Sequence, residues 1–252
     1  MSSTHVETAI GKFVWHESNS TDVEAAKSFY TSLFGWELEM FPGEMEYAMV
    51  KSAGRTHGGF TEAQGGAPSH WLPYVLVENV DETAEKAKAA GGKVMDPFDI
   101  PEVGRMAVMF DPQGAVFSII QPAGEPDAPP AEGVFVWDEL MTTDVEAAKA
   151  FYGGVLGWTS RDQDMGGMTY TLFQRSGDTD VGGCMARPEG VEAPPHWTVY
   201  IATDDVDASV VRAKELGANV FVEPTDIPNM GRFAVLQDPT GAAFGIFASS
   251  GE

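Results

Sequence analysis

Between Phe13 and Trp36 the hydrophobic pattern changes its period. Phe13-Val14-Trp15-His16-Glu17 reads as a short aromatic-rich strand. After a polar turn, Ala25, Ala26, Phe29, Tyr30 and Leu33 fall on one face at helical spacing, which predicts a helix opening at Asp22. The same passage is written again from Phe135 to Trp158, with its helix opening at Asp144. A repeat of this length makes two copies of one design the expected organisation.

After the first helix, short strands are expected at Trp36 to Met40, Tyr47 to Lys51 and Gly58 to Thr61, followed by a Gly/Pro loop at Gln64 to Pro68. The pattern then restarts with a strand, His70 to Val77, and a helix, Val80 to Ala90, stopped by Gly91-Gly92. Strands at Lys93 to Asp96, Arg105 to Phe110 and Ala115 to Gln121 complete it, the last two joined by the turn Asp111-Pro112-Gln113-Gly114. This is a βαβββ order twice in one half. The second half repeats it with strands at Val134 to Leu140, Tyr170 to Arg175, Gly182 to Ala186, His196 to Ala202, Asn219 to Glu223, Arg232 to Gln237 and Ala243 to Ala248. Its helices are expected at Val145 to Leu156 and Val206 to Leu216. Pro122 to Glu132 is rich in Pro and acid without apolar periodicity, and reads as a semi-rigid linker. The expected domains are therefore 1–121 and 133–252.

Composition narrows the function classes. The chain has 252 residues, no apolar run long enough to cross a bilayer, and an N-terminus lacking the basic and apolar regions of a signal peptide. Cys184 is the only cysteine, so no intrachain disulfide forms, and the expectation is a cytoplasmic protein. Fifteen Lys plus Arg against 38 Asp plus Glu give a net charge of -23. That field disfavours nucleic acid and anionic membrane as partners. The acids either keep the surface soluble or, if they line a cleft, attract a cationic ligand. No phosphate-binding Gly-rich loop, Walker motif or Ser-His-Asp order is present.

The repeated Asp-Val-Glu-Ala-Ala-Lys-x-Phe-Tyr with its trailing Gly-Trp, and the late Asp-Pro-x-Gly before a final strand, resemble the glyoxalase, bleomycin-resistance and extradiol-dioxygenase proteins, the vicinal oxygen chelate superfamily. The resemblance spans nearly all of Phe13 to Ala248. It implies an α+β fold of two tandem glyoxalase-like domains, each of two βαβββ modules whose curled mixed sheets surround a cleft. Many members hold a divalent metal there through His or Glu on three strands. The matching positions here are Trp15 and Trp137, Leu72 and Thr198, and Ser118 and Gly245. None is a usual metal ligand. The expectation is therefore no metal cofactor, the alternative being a divalent ion at a rearranged site.

Strand alternation puts Glu17 on the face of Trp15, and Glu139 on that of Trp137, with His16 pointing away. Each Glu is a candidate general base or ligand contact; the competing reading is a carboxylate hydrogen-bonded to a neighbouring strand or Tyr. His70 and His196 begin matched strands and either join those carboxylates or are strand-end residues satisfied by backbone. His5, His16 and His57 lack counterparts and are expected on the surface. Trp15, Trp137, Tyr74 and Tyr200, with Tyr47, Tyr170, Phe60 and Met185, supply either ligand walls or core. Arg105 and Arg232 suit an anionic group or an ion pair with Asp99 or Asp226. The doublets Gly58-Gly59 and Gly182-Gly183 suggest close approach to a ligand or a facing sheet. A nucleophilic Cys184 is not expected. Two functional classes follow. One is a small-molecule-binding protein, monomeric or homodimeric, whose ligand is an apolar or aromatic oxygenated molecule. The other is a lyase, isomerase or dioxygenase, either metal-dependent with a rearranged site or metal-free with Glu17 or Glu139 as base.

Overall fold

The computed structural model describes residues 9–41, 47–52, 54–124, 133–175 and 179–250. His5 and most of the expected linker, residues 125–132, lie outside them.

Each expected helix forms where its cap residue stands. Asp22 accepts from the Ala25 amide at 3.0 Å and starts α1, Val23–Phe34; Asp144 accepts from Ala147 at 2.9 Å and starts α3, Val145–Leu156. Gly35 and Gly157 take positive φ of 67° and 71° and end these helices, so that Trp36 and Trp158 turn back into the cores. Asn79 and Asp205 cap α2, Val80–Ala89, and α4, Val206–Glu215, in the same way.

The strands form two mixed sheets, one in each half of the sequence. In the first, β1 (Phe13–Ser20), β2 (Glu37–Met40), β3 (Ala48–Ser52), β4 (Arg55–Glu62), β5 (His70–Leu76), β6 (Lys93–Val94), β8 (Gly104–Phe110) and β9 (Val116–Pro122) run in the order β2-β3-β4-β1-β5-β9-β8-β6, with β7 (Phe98–Ile100) beside β8. The second comprises β10 (Phe135–Thr142), β11 (Thr159–Asp164), β12 (Thr169–Arg175), β13 (Thr179–Ala186), β14 (His196–Ala202), β15 (Asn219–Ile227), β16 (Gly231–Gln237) and β17 (Ala243–Ser249), ordered β11-β12-β13-β10-β14-β17-β16-β15. β11 was not expected. Its sequence, TSRDQD, has no apolar alternation because the strand is an almost wholly exposed sheet edge.

Packing divides the chain differently from hydrogen bonding. Each compact unit takes one module from each half: one lies within Met1–Trp15, Pro73–Pro130 and Trp137–Trp197, the other within His16–Leu72, Ala131–Val136 and Thr198–Glu252. In the first unit Met109, Phe117 and Ile119 pack with Phe151, Tyr152 and Trp197. In the second, Phe29, Tyr30 and Trp71 pack with Val210, Phe244 and Ile246.

The most recognisable letters of the repeat meet in these cores. Trp197 Nε1 donates to Tyr152 Oη at 2.9 Å, and Tyr152 Oη donates to Asp111 Oδ2 at 3.2 Å. Asp111 Oδ1 meanwhile accepts from the amides of Gln113 and Ala115, both at 2.9 Å, closing the Asp-Pro-x-Gly turn. Burial pushes the Asp111 carboxyl up, against the pull of those donors. In the second unit Trp71 donates to Tyr30 at 2.8 Å, and Tyr30 faces Asp238, whose Oδ1 closes the matching turn with the amides of Thr240, Gly241 and Ala242. The Phe-Tyr, His-Trp and Asp-Pro-x-Gly motifs are therefore core contacts, with helix and turn drawn from opposite halves.

His16 and His57 overturn the surface expectation: each is only 5% exposed. Alternation along β1 does turn His16 away from Trp15 and Glu17, but that face is core, and the ring stacks on Phe135 at 4.1 Å. His57 Nε2 donates to the Ser52 carbonyl at 3.2 Å, and its Nδ1 has no partner among the described residues. Burial presses the His57 imidazole below its ordinary range, against the pull of the Ser52 carbonyl and with a smaller push from Arg55. A histidine depressed in the folded state binds more protons when unfolded. Its penalty is therefore absent above about pH 6.5 and grows as pH falls below that value. Urea unfolding of wild type and His57→Gln between pH 7.5 and 5 should show the wild type losing more stability on acidification; parallel curves would rule the linkage out.

Candidate functional site

The half-site in the first compact unit is built on β10, where Trp137, Glu139 and Met141 share a half-buried face and Asp138, Leu140 and Thr142 lie buried on the other. The parallel ladder sets Glu139 opposite Gly183 of β13, and Gly183 is opposite Leu172 of β12. From two residues earlier on β12, Tyr170 reaches across the glycine. Its hydroxyl donates to Glu139 Oε2 at 2.7 Å and accepts from Trp137 Nε1 at 2.8 Å. A Cβ on Gly183 would lie 1.9 Å from Tyr170 Oη, so only glycine leaves room for this arrangement. Burial, and then the Glu139 charge, raise the Tyr170 hydroxyl well above its ordinary range, which keeps it a protonated donor.

A counterpart is built on β1. Trp15, Glu17 and Asn19 share one face of β1, Glu17 stands opposite Gly59 of β4, and a Cβ on Gly59 would lie 2.3 Å from Tyr47 Oη. Asn19 Nδ2 donates to Glu17 Oε1 at 3.2 Å, a donor that Met141 cannot supply at the matching place. The glycine doublets thus have a definite cause. Gly58 and Gly182 abut the carbonyls of His16 and Asp138, while Gly59 and Gly183 admit a tyrosine.

The remaining candidates fall in different settings. His70 Nδ1 donates to the Pro68 carbonyl at 2.8 Å and His196 Nδ1 to that of Pro194 at 2.7 Å, so both are anchored to the loops that precede their strands. Tyr74 and Tyr200 are buried, paired in the ladders with Ser118 and Gly245 respectively. The Tyr200 ring occupies the space a Cβ on Gly245 would need, at 2.3 Å from its Cδ1. Ser118 Oγ is buried without a partner among the described residues. Arg105 pairs with Asp81 and Asp99, and Arg232 with Asp207 and Asp226, which makes both structural ion pairs. Cys184 points into the core, where burial and then Glu139 push its thiol up to about 12, so it is protonated at neutral pH.

The residues at the positions that the resemblance assigns to a metal are not usual ligands of a divalent ion. They are two tryptophans, a leucine, a threonine, a serine and a glycine. One tryptophan is committed to Tyr170 and the glycine is covered by a ring. Among the described residues no three His, Cys, Asp or Glu converge on a point.

The competing reading of a carboxylate hydrogen-bonded to a tyrosine is what Glu139 shows; what sequence reasoning missed is that the tyrosine is Tyr170 and that its hydroxyl also accepts from Trp137. A signal was present: a tyrosine precedes each glycine doublet, Tyr47 by 11 residues and Tyr170 by 12, and only small residues opposite a large one would accommodate them.

The model of the Glyoxalase/Bleomycin resistance protein/Dioxygenase superfamily matches residues 12–119 and 135–246. The chain is 40% identical over 244 residues to the putative glyoxylase CFP32 of Mycobacterium tuberculosis, covering 92% of each chain. It is 36% identical over 261 residues to the anthracycline biosynthesis protein DnrV of Streptomyces peucetius, covering 94% and 93%. Among solved structures, catechol 2,3-dioxygenase superposes with a TM-score of 0.65 at 16% identity, covering 95% of this chain and 88% of that one. The Mn(II)-bound glyoxalase of Novosphingobium aromaticivorans gives 0.64 at 20% identity, covering 95% and 82%. These two likenesses concern the fold.

Proposed function

The chain belongs to the glyoxalase/bleomycin resistance protein/dioxygenase superfamily, and from that premise we propose that it binds a small aromatic, oxygenated molecule without the metal that many relatives use. The observation that carries this reading is the Trp137–Tyr170–Glu139 constellation, an aromatic wall with one oriented carboxylate where a metal ligand would otherwise stand. Trp15, Glu17 and Tyr47 supply the counterpart, and the similarity to a protein named for anthracycline biosynthesis agrees with an aromatic, oxygen-rich ligand. His70, His196, Tyr74 and Tyr200 act in this reading as supports of the binding walls.

A second reading is favoured by the fixed geometry of Glu139: a metal-free enzyme in which Glu139 or Glu17 takes a proton from the bound molecule. Two measurements separate the possibilities. Metal analysis of protein purified without chelator should find far less than one divalent ion per chain; a stoichiometric ion would overturn the metal-free reading. For any substrate found, Glu139→Gln and Glu17→Gln should each be compared with wild type. Loss of turnover with binding retained within about tenfold assigns the base, and unchanged turnover removes that residue from the mechanism.

A further inference from the structure

The two Gly-Trp exits match in sequence and differ in what meets the indole. In the first compact unit Trp158 Nε1 donates to the Gly11 carbonyl at 2.9 Å and Arg175 Nη1 donates to the Ile10 carbonyl at 3.0 Å, so backbone fills the corner beside the ring. Ladder register makes Ser52 the counterpart of Arg175, and the repeat pairs Gly133 with Gly11 and Ala202 with Leu76. In the second unit that corner is a cavity of about 550 Å³ against Leu33, Phe34, Trp36, Ser52, Val134 and Ala202. Its origin lies in the sequence: serine stands for arginine and alanine for leucine, so two shorter side chains leave space that their counterparts fill. A Cβ on Gly11 would lie 3.2 Å from Trp158 Nε1, whereas one on Gly133 would meet nothing within 4 Å.

Hydrogen-bonding capacity in this cavity is unevenly used. Trp36 is only 7% exposed, with its ring stacked on Tyr30 and Phe34, and its N–H has no acceptor among the described residues. An indole N–H can only donate, so a ligand there has to bring an acceptor. The neighbouring polar groups are engaged. The Thr203 and Ser209 hydroxyls bond each other at 2.6 Å, Asp205 accepts from the Ala208 amide at 3.0 Å, and Arg212 pairs with Glu215 at 3.2 Å. Asp204 and Asp205 both line the cavity against this one arginine, so its charge is net negative and an anion is disfavoured.

We propose that the cavity beside Trp36 is a second binding site, which takes a neutral carbonyl compound with a small apolar or aromatic body. The carbonyl oxygen accepts from the Trp36 N–H as the Gly11 carbonyl does from Trp158, and the body lies against Leu33, Phe34 and Val134. The lining shares no residue with the Trp15–Glu17–Tyr47 or Trp137–Tyr170–Glu139 groups, so the site stands independently of the binding function proposed above.

The test is nuclear magnetic resonance of the full chain labelled with ¹⁵N at its six tryptophans, the Trp36 and Trp158 indole signals being identified by their loss in Trp36→Phe and Trp158→Phe. Without ligand, the Trp36 N–H should exchange with solvent roughly tenfold or more faster than that of Trp158. Equal protection would mean that a carbonyl of the chain itself already holds it, and overturns the proposal. Benzamide should then shift the Trp36 signal saturably, and benzoate, of the same shape but anionic, should bind at least about threefold more weakly. Ser52→Arg, which copies the filled corner, should abolish the benzamide shift; Ala202→Leu carries the same expectation should the first variant fail to fold. No saturable shift with benzamide, or a shift that survives the filling substitution, overturns the site. Benzoate binding as tightly as benzamide overturns the neutral ligand class.

Discussion

Gly58→Ala is expected to destabilise the protein by about 3 kcal/mol, at the upper end of overpacking costs. The added Cβ would lie 2.1 Å from the His16 carbonyl oxygen, which belongs to the backbone of the paired strand and cannot rotate aside. The parallel β1/β4 ladder, with His16 opposite Gly58, has to open to admit it. Gly182→Ala meets the Asp138 carbonyl at 2.8 Å and should cost less, because a few tenths of an ångström of strand movement relieve most of that contact. Gly154→Ala sets the opposite sign: it lies exposed within α3 with nothing within 4 Å, so alanine should stabilise by up to about 1 kcal/mol. Urea midpoints of the three variants should rank Gly58→Ala below Gly182→Ala below wild type, with Gly154→Ala above it. A Gly58→Ala chain as stable as wild type would show that the ladder yields at no cost.

Asp111→Ala should have a comparable effect, again about 3 kcal/mol. It removes the acceptor of two turn amides and leaves the Tyr152 hydroxyl, fully buried, facing a methyl group. Tyr152→Phe removes both the donor to Asp111 and the acceptor of Trp197 Nε1, and should cost about 1–2 kcal/mol, since the two turn bonds to Oδ1 survive. Combining Asp111→Ala with Tyr152→Phe should cost less than the sum of the two, because the double variant no longer buries a hydroxyl proton without an acceptor. Denaturant unfolding of the three variants measures that coupling; strict additivity would mean the Tyr152–Asp111 contact contributes nothing.

Much of the fold can be read from the chain because the repeat states its own boundaries: capping Asp22 and Asp144, the Gly-Trp exits and the Asp-Pro-x-Gly turns all act locally. β11 is not legible, because an exposed edge strand needs no apolar alternation. Nor is the burial of His16 and His57 legible, since alternation tells which residues share a face and not whether the other face is covered. The Tyr170 bridge depends on which strand lies beside which, and the Asp111–Tyr152 contact depends on packing between modules from different halves. Both are long-range facts that no single stretch of sequence encodes. Within the candidate site, the pairing of Trp137 with Glu139 on one face followed from strand period alone; what joins them did not.

That division of the cores has a consequence for the order in which the protein is made. The unit containing residues 73–130 and 137–197 is nearly continuous along the chain and can close while the ribosome is still at work. The other unit needs His16–Leu72 together with Thr198–Glu252, the two ends of the protein. Until Phe244 and Ile246 emerge, the apolar face of α1 with Ala26, Phe29 and Tyr30 has only the part of its native cover that Trp36, Phe60 and Trp71 supply. The first module synthesised is thus the last to be completed, with a large loop to close. While the last 55 residues are being added, 198 to 252, the nascent chain has a finished centre and an incompletely covered N-terminal helix, the state in which a chaperone has most to hold.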